Sequence, residues 1–576
     1  MEKKELSYMH QPHSREFGHQ TIFQLLDKRA AERPKDEAVI LYDEQSKRHC
    51  LTFGKLHFLS QTLAAAMATK DLGYGDKVAI FMPTCLEFIV CFMALNRLGT
   101  NVIVIPFSES VGVLSDVLSD SKCSGLFCHL DQDQRKKKDL IDALHKKKIS
   151  AGAQFVLKYL VTVGNLIQCD VSGNSYQYEV LLASEKTTGL KLLQQIETKV
   201  QLDNPAMNLL TSGSSGKPKL CQFTNQSLVV AIETTSDRLN INSKSRLFRT
   251  WPFSWAPGIG ALLTIAVNGA TCVFLSPVLL LKENRIEFFF KVLSEEKCNF
   301  ASVPPALIYD TINNPSVLSS FDLSCLQSFE SGGQLLLHTQ IAKFIDLFPN
   351  VDFILVYGAT ETFGLVSSAT YKKENISNTE QYGVMEVGPH FEVKVVDPRG
   401  NIVPVNNFGE IYIRSPTIFL EYLGNPQATL DSKTRTGWWR SQDIGTMDNK
   451  GKIKILGRMG NAINRATELL YPAEFEVKIS KNHLVAKVAV VAVPDQRLYE
   501  EVCACVVLKD QGDHDSQRAE LEEWYEEVWP ESADGASLRP GYTIFFKEFP
   551  LTRTMKPDRR KLRKMALENL GLQEVK

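Results

Sequence analysis

The sequence predicts an α/β protein with a large N-terminal domain of doubly wound sheets, a β-rich subdomain within that domain, and a small α+β C-terminal domain. The segment 77–105 reads as strand, helix and strand, which is the order of a parallel-sheet unit, and this order recurs over about the first 380 residues. Short alternating runs separated by turn signals occupy 383–456. Helical and strand patterns then alternate again up to the basic final helix.

Individual elements follow from hydrophobic spacing. In the N-terminal part, helical patterns precede short apolar strands at about 111–119, 283–296 and 336–347. In the C-terminal part, helices are predicted at about 472–480 and 516–528, with strands in VAKVAVVAV and VCACVVL. Cys503 and Cys505 are two residues apart in the second strand, so both should point to one buried face.

A domain boundary is predicted near 457–461, where GRMGN places two glycines at the end of a strand. Glycine lets the backbone rotate there with little steric cost. The N-terminal domain would therefore comprise 1–456, with its β-rich subdomain at about 383–456, and the C-terminal domain would comprise 457–576.

Composition excludes several classes of protein. The 576 residues include 65 Lys and Arg and 66 Asp and Glu, so no net field attracts nucleic acid or anionic lipid. The twelve cysteines lack the paired spacing of a zinc site, which favours reduced thiols. No run of about 20 apolar residues, secretory h-region or peroxisomal tripeptide occurs, so the predicted compartment is the cytoplasm.

The strongest local motif is TSGSSGKPK at 211–219, which follows the apolar run AMNLL. Its hydroxyls, backbone N–H groups and lysines suit a loop that closes around a polyphosphate. A plain turn is the alternative. A Walker A loop is disfavoured because that loop has four residues between its glycines and a Ser or Thr after its Lys, whereas here two serines separate Gly213 from Gly216 and Pro218 follows Lys217. Since Pro218 opposes an immediate helix and LCQF reads as a strand, the loop should connect two strands.

This motif resembles the phosphate loop of the adenylate-forming superfamily, which includes acyl-CoA synthetases, nonribosomal-peptide adenylation domains and beetle luciferases. The resemblance spans about 25–570, because further motifs follow in the family's order. They are YGATE at 357–361, SQDIG at 441–445, GRMGNAINRATELLYPAEFE at 457–476 and PLTRTMKPDRRKLR at 550–563.

The resemblance implies a nucleotide site built from several segments. Tyr357 would stack on adenine, Asp443 would accept hydrogen bonds from the ribose hydroxyls, and Arg458 would lie near ribose and phosphate. SGGQ at 331–334 would flank the adenine pocket. The remaining residues implied to bind the nucleotide are Thr211, Ser212, Gly213, Ser214, Ser215, Gly216, Lys217, Lys219, Gly332, Gly333, Gln334 and Gly358.

The resemblance also implies three catalytic residues and a metal. Thr360 would hydrogen-bond the α-phosphate, Glu361 would bind Mg²⁺, and Lys556 would neutralise charge on the reacting carboxylate and α-phosphate. ATP, Mg²⁺ and coenzyme A are the implied cofactor and co-substrates. In the family the C-terminal domain rotates between two half-reactions, and the Gly460 region would be the hinge.

WPFSWAPG at 251–258 occupies the position of the family's aromatic or histidine gate. With Trp255 at the gate, and with Gly332 and Gly358 also lining the pocket, a medium-chain fatty or aromatic acid is the expected substrate. An α-amino acid is disfavoured because WPFSWAPG supplies no carboxylate for its ammonium.

The predicted reaction converts a carboxylic acid and ATP into acyl-AMP and pyrophosphate and then transfers the acyl group to coenzyme A. The sequence departs from the family pattern at Gly460, Asn461, Thr467 and Met555. These departures leave alternatives open: a carrier-protein or amine acceptor, a luciferase-like oxygenase, or a nucleotide-binding protein without turnover.

Overall fold

The structure is a computed structural model that describes most of the chain. The described residues are 5–12, 16–131, 133–151, 157–167, 172–184, 187–211, 218–333, 336–377, 382–465, 468–509, 514–530, 538–552 and 556–573, and at 147–151, 172–173, 468–469 and 514–515 only the backbone is described.

Strands occur along the whole described chain. They are β1 (Tyr8–Gln11), β2 (Glu37–Tyr42), β3 (Arg48–Thr52), β4 (Lys77–Phe81), β5 (Asn101–Val104), β6 (Gly125–His129), β7 (Leu157–Val163), β8 (Ser172–Gln177), β9 (Pro205–Thr211), β10 (Lys219–Thr224), β11 (Arg246–Arg249), β12 (Thr271–Leu275), β13 (Phe300–Ser302), β14 (Ser328–Gly332), β15 (Asp352–Tyr357), β16 (Ser367–Tyr371), β17 (Val384–Val387), β18 (Phe391–Val396), β19 (Gly409–Arg414), β20 (Trp439–Met447), β21 (Ile453–Arg458), β22 (Ile463–Arg465), β23 (Glu468–Leu470), β24 (Val485–Asp495), β25 (Tyr499–Leu508) and β26 (Tyr542–Phe545).

The α-helices alternate with these strands. They are α1 (Ile22–Glu32), α2 (Phe53–Ala68), α3 (Leu86–Arg97), α4 (Val111–Asp120), α5 (Gln134–Ala151), α6 (Tyr178–Ala183), α7 (Thr187–Glu197), α8 (Asn225–Leu239), α9 (Ala256–Asn268), α10 (Arg285–Glu295), α11 (Pro305–Asn313), α12 (His338–Leu347), α13 (Pro426–Ser432), α14 (Pro472–Ile479), α15 (His514–Val528) and α16 (Arg559–Leu570).

Two large sheets share a layer of helices. The first sheet has the order β1-β18-β19-β20-β21-β17-β16-β15-β14-β13-β11-β12-β2-β3, and the second has the order β10-β9-β5-β4-β6-β7-β8. One face of each sheet packs on α1, α2, α3, α8 and α9 in a common core. The outer face of the first sheet is covered by α10, α11 and α12, and that of the second by α4 and α5. The predicted doubly wound α/β fold is confirmed.

The side-chain pattern of α3 explains its central position. This helix is apolar around its whole circumference from Phe88 to Leu95, and the side chains of Asn96 and Arg97 at its end are buried as well. A helix of this kind has no polar face to present to water, so it must be covered on all sides. Packing between the two sheets satisfies that requirement.

The β-rich segment continues the first sheet. β17 pairs with β16 on one side and with β21 on the other, which joins β18 to β21 to the parallel core strands. The predicted strands around 383–456 are therefore present as extra strands of one larger sheet. This extension carries β20 and β21 to the end of the sheet where β15 terminates.

The last part of the chain forms a third, smaller sheet of β22 to β26. α14 and α15 pack on one face, and α16 packs on the other together with Cys503 and Cys505. The shared orientation predicted for these two cysteines is confirmed. The chain passes from β21 to β22 through a 3₁₀ turn at Met459–Asn461, which contains Gly460. The division into domains at 457 stays a proposal.

Candidate active site

The first part of the site lies where two neighbouring parallel strands end. β14 ends at Gly332, and β15 ends at Tyr357. A Cβ atom on Gly332 would lie 2.4 Å from the carbonyl oxygen of Val356, so only glycine allows the two strands to run this close. Ligands in open α/β sheets bind at the carboxyl ends of the strands, which is where these residues lie.

A tight turn after β15 positions the two predicted polar residues. Gly358 precedes a 3₁₀ turn at Thr360–Thr362 that includes Glu361. The Thr362 hydroxyl accepts a hydrogen bond from the backbone N–H of Ala359 at 3.1 Å and donates to its carbonyl oxygen at 2.9 Å. The turn is therefore held by its own hydrogen bonds, and it presents Thr360 and Glu361 beyond the strand end.

Glu361 is hydrogen-bonded to the segment around Phe419 and Tyr422, which the sequence did not single out. Its Oε1 accepts a hydrogen bond from the Tyr422 hydroxyl at 2.8 Å, and its carbonyl oxygen accepts one from the backbone N–H of Phe419 at 2.9 Å. Burial and the Glu361 carboxylate raise the pKa of Tyr422, so the phenol stays protonated and donates. Nothing in the local sequence marks Tyr422, because its partner lies 61 residues away.

The predicted phosphate loop connects two strands, as expected. β9 and β10 are antiparallel, and Thr211 and Lys219 form the register pair nearest the loop. The Lys219 ammonium lies 4.9 Å from the centre of the Tyr422 ring. Tyr422 thus contacts both Lys219 and Glu361. The other predicted loop residues, Ser212, Gly213, Ser214, Ser215, Gly216 and Lys217, lie outside the described residues.

The second part of the site is a hydrogen-bonded cluster around Asp443. Its Oδ2 accepts a hydrogen bond from the Tyr357 hydroxyl at 2.6 Å, and its Oδ1 lies 2.8 Å from Nε of Arg458. Asp443 on β20 and Arg458 on β21 are direct register partners, so the ion pair crosses two adjacent strands. Arg458 also donates to the carbonyl oxygen of Ser441 at 2.8 Å, and the Ser441 hydroxyl accepts from the Asp443 N–H at 2.9 Å.

Burial governs the electrostatics of this cluster. It raises the pKa of Asp443, while Arg458, the Tyr357 hydrogen bond and Lys556 lower it. Burial and the nearby carboxylate also raise the pKa of Tyr357 well above its ordinary value. Asp443 therefore pairs with Arg458 and with a phenol that stays protonated, and the positive charge of Lys556 also favours its ionised form.

Lys556 reaches this cluster from the C-terminal part of the chain. Its backbone N–H donates to the Thr552 hydroxyl at 3.2 Å, and its carbonyl oxygen accepts from the Thr552 N–H at 2.7 Å. The side chain keeps an exposed surface. Surrounding protein and the positive charge of Arg458 nevertheless lower its pKa, and the carboxylate of Asp443 opposes that effect. The ammonium thus interacts with both residues of the ion pair.

Trp255 lies at the start of α9 and stacks on Trp251, with ring centres 5.8 Å apart. The turn before the helix is close, since a Cβ on Gly258 would lie 1.9 Å from the carbonyl oxygen of Pro252. Two residues further along α9, a Cβ on Gly260 would touch the ring of Phe363 in the segment after Glu361. The half-buried Trp255 therefore begins a helix that packs beside the turn after β15.

The structure thus brings Tyr357, Asp443, Arg458 and Lys556 together. It also places Glu361 near Lys219, because Tyr422 contacts both residues. Gly332 and Gly333 end the strand beside Tyr357, and Gly333 has a φ of 78°, which favours glycine.

Three residues of the sequence argument, Gln334, Thr467 and Met555, lie outside the described residues. In the described part of the chain, no helix is both long enough and apolar enough to cross a bilayer.

The sequence profile of the AMP-binding enzyme family matches residues 26–423, and that of the AMP-binding enzyme C-terminal domain matches residues 474–556. The chain therefore belongs to the AMP-binding enzyme family and is an adenylate-forming enzyme. It is similar to the protein named "Medium-chain acyl-CoA ligase ACSF2, mitochondrial" from Danio rerio, with 26% identity over 577 residues that cover 98% of this chain and 91% of the relative.

Solved structures share the fold. The anthranilate CoA ligase AuaEII in complex with anthranoyl-AMP has a TM-score of 0.77 at 19% identity, over 96% of this chain and 98% of its own. The amide bond synthetase McbA from Marinactinospora thermotolerans has a TM-score of 0.76 at 20% identity, over 95% of this chain and 99% of its own. These likenesses extend along nearly the whole length of both chains.

Proposed function

We propose that the enzyme activates a medium-chain fatty or aromatic carboxylic acid with ATP, releases pyrophosphate, and transfers the acyl group from acyl-AMP to the thiol of coenzyme A. The observation that carries this proposal is the convergence of Tyr357, Asp443 and Arg458, from three strands of the first sheet, with Lys556, from the segment between β26 and α16. The names of the zebrafish relative and of AuaEII support a CoA ligase.

In the proposed mechanism, the cluster holds the nucleotide and stabilises developing charge. Tyr357 presents a ring to adenine, and the Asp443 carboxylate accepts hydrogen bonds from ribose hydroxyls in addition to those from Tyr357 and Arg458. Thr360 donates to the α-phosphate. Lys556 approaches the same place and offsets negative charge as the substrate carboxylate attacks the α-phosphate in line. Pyrophosphate leaves toward the 211–219 loop.

Glu361 is suited to bind Mg²⁺. Magnesium prefers carboxylate and phosphate oxygens. Oε1 of Glu361 is taken by Tyr422, while Oε2 has no hydrogen bond among the described residues, so one oxygen is free for a cation. A bound Mg²⁺ would neutralise phosphate charge, and Tyr422 would hold Glu361 in position for it.

The apolar acid is inferred from Trp255. The indole is half-buried, begins α9, and carries no charge. An apolar wall at this position favours an aliphatic or aromatic substrate over a charged one. We therefore place the acyl group between α9 and the turn after β15.

A second acceptor class is an amine, with a carrier-protein thiol as a further variant. The likeness to McbA, an amide bond synthetase by name, supports the amine. Both acceptors use the same acyl-AMP, so the adenylation half-reaction is common to all three candidates. Only the second half-reaction distinguishes them.

Two measurements test the proposal. Exchange of labelled pyrophosphate into ATP across a panel of carboxylic acids detects adenylation, and mass spectrometry of a reaction with ATP, Mg²⁺, coenzyme A and mixed acids identifies the product. We expect acid-dependent exchange and an acyl-CoA product. Exchange without acyl-CoA would favour an amine or carrier-protein acceptor. ATP binding without exchange for any acid would contradict the proposal.

The compartment is a separate proposal. The sequence predicts the cytoplasm, whereas the name of the zebrafish relative places that protein in mitochondria. We keep the cytoplasm as our proposal. Fractionation of cells expressing the tagged chain tests it, and co-purification with mitochondrial matrix markers would contradict it.

A further inference from the structure

Three side chains with metal-binding atoms meet at one edge of the second sheet. β4 and β6 are adjacent parallel strands, and His129 is the last residue of β6. α3 follows β4, with Cys85 at its N-cap and Glu87 in its first turn. The end of β6 and the start of α3 therefore lie side by side, although about forty residues separate them in the sequence.

The geometry of this cluster is close to that of a metal centre. The Cys85 sulfur, a Glu87 carboxylate oxygen and a His129 ring nitrogen all lie within 4.8 Å of one another. Zinc bonds of about 2.0 to 2.3 Å in a tetrahedron place neighbouring ligand atoms roughly 3.3 to 3.8 Å apart. Small side-chain rotations would close the remaining gap. All three residues are half-buried, so the cluster differs from a group of acidic side chains on an open surface.

An unsatisfied polar atom at the same place supports a ligand. Nδ1 of His129 is buried, and no hydrogen-bond partner for it exists among the residues that the structure describes. Buried polar side-chain atoms in proteins nearly always have a partner, so this nitrogen requires one. Glu87 makes no salt bridge within the described ranges, and its carboxylate is hydrogen-bonded to the Cys85 thiol. A bound cation would give the His129 nitrogen a partner and would neutralise the Glu87 carboxylate.

The chemical types of the three ligands indicate which class of metal the site would bind. A thiolate, an imidazole and a carboxylate suit Zn²⁺, whereas Mg²⁺ and Ca²⁺ prefer sites built from oxygen alone. We propose that Cys85, Glu87 and His129 form a Zn²⁺ site with water as the fourth ligand, which ties the N-terminus of α3 to the carboxyl end of β6. The cysteine pairs that sequence spacing usually reveals are absent from it, because its ligands come from two separate elements.

This site is distinct from the proposed nucleotide site. The sheet order β9-β5-β4-β6 separates Thr211 at the end of β9 from His129 by three strand spacings, or roughly 14 Å. The proposed Mg²⁺ ligand Glu361 lies in the turn after β15, which belongs to the first sheet. A metal at Cys85 would therefore stabilise the fold without contacting ATP.

The test uses the full chain after treatment with a chelator, in buffer with excess Mg²⁺. Zn²⁺ is titrated against a competing chromophoric chelator, and thermal unfolding is recorded with and without Zn²⁺. We expect one tightly bound Zn²⁺ per chain and a rise in the melting temperature, since a ligand that binds only the folded state stabilises it. Replacement by Co²⁺ should produce a thiolate-to-metal absorption band.

Substitutions then assign the ligands. Cys85→Ser and His129→Gln should each weaken Zn²⁺ binding by more than about tenfold, the lower bound seen when outer-shell partners are lost. Cys325→Ser is the matched control, because Cys325 is exposed and belongs to no such cluster. Should Cys85→Ser fail to fold, Glu87→Gln provides a nearly isosteric variant. Absence of tight Zn²⁺ binding and of the Co²⁺ band in the unmodified chain, or unchanged affinity in Cys85→Ser and His129→Gln, would overturn the proposal.

Discussion

The Tyr357 hydroxyl donates a 2.6 Å hydrogen bond to the Asp443 carboxylate across 86 residues of sequence. One residue ends a strand of the parallel core, and the other belongs to the antiparallel extension of the same sheet. Because the bond fixes both side chains before any nucleotide is present, it preorganises the proposed adenine and ribose contacts. Preorganisation of this kind reduces the ordering cost of binding.

Removal of this hydrogen bond should affect nucleotide binding more than folding. In Tyr357→Phe the ring remains for stacking, but Asp443 loses a donor, and a hydrogen bond to a charged group contributes about 1.5 to 3 kcal/mol. We expect the KM for ATP in pyrophosphate exchange to rise by about tenfold. Tyr42→Phe is the matched control, because the Tyr42 hydroxyl donates to Glu296 at 2.8 Å in a different region. An unchanged KM in Tyr357→Phe would contradict the assignment.

Asp443→Asn should weaken nucleotide binding without destabilising the fold. Burial raises the pKa of Asp443, so between the ordinary aspartate pKa of about 3.9 and the raised pKa of the folded state the folded state holds a proton that the unfolded chain has released. Stability from this group is therefore highest at low pH and falls as pH rises, and the ionised carboxylate costs free energy at neutral pH. We expect an equal or higher melting temperature at pH 7 and a loss of ATP affinity of about tenfold or more.

Glu296→Gln is the control of opposite sign for that experiment. Burial alone would raise the pKa of Glu296, but hydrogen bonds from Arg48 and Tyr42 lower it below its ordinary value. Its stabilising effect is present above the unfolded pKa and is lost as pH falls through the folded pKa. We expect Glu296→Gln to lower the free energy of unfolding by about 1 to 3 kcal/mol at neutral pH. A similar loss in Asp443→Asn would show that Asp443 is structural instead.

Lys556 should cause the rate of adenylation to fall at alkaline pH. Surrounding protein and the positive charge of Arg458 lower its pKa, and the proposed role needs the charged form, so the rate should fall as pH rises through a value below the ordinary lysine pKa of about 10.4. Lys556→Ala should reduce the rate by about 10² to 10³-fold. Lys556→Arg keeps the charge and should move this fall in rate to higher pH.

The control for Lys556 is Lys561→Ala, since Lys561 is an exposed lysine of α16 paired with Asp558. It should leave both the rate and the pH profile unchanged. Pyrophosphate exchange is measured from pH 6 to 10 for each variant. If the rate of Lys556→Arg falls at the same alkaline pH as the rate of the unmodified enzyme, the fall is caused by another group.

Trp255→Ala should change the preferred acid. Removal of the indole enlarges the space at the start of α9, and one methylene in an apolar pocket changes discrimination by about tenfold or more. We expect longer or bulkier acids to gain in kcat/KM relative to the best substrate of the unmodified enzyme, with the KM for ATP unchanged. Trp438→Ala is the control, because Trp438 is buried beside β18 and β19. Equal effects of both variants on acid preference would contradict the pocket assignment.

Local patterns predicted most of the secondary structure. The helices expected at about 111–119, 283–296, 336–347, 472–480 and 516–528 appear as α4, α10, α12, α14 and α15, within a few residues at each end. Hydrophobic periodicity and glycine positions depend on neighbouring residues alone, so they are readable without a structure. The strands on either side of the phosphate loop followed from the same kind of argument through Pro218.

The sequence by itself determined the fold class, the order of the motifs and the chemical groups available at each one. Only the tertiary structure decided that Tyr357 bonds to Asp443, that Tyr422 binds Glu361, and that Cys85, Glu87 and His129 meet at one sheet edge. The physical reason is that strand order and register, which bring distant segments into contact, depend on packing of the whole sheet. Sequence spacing carries no measure of those distances.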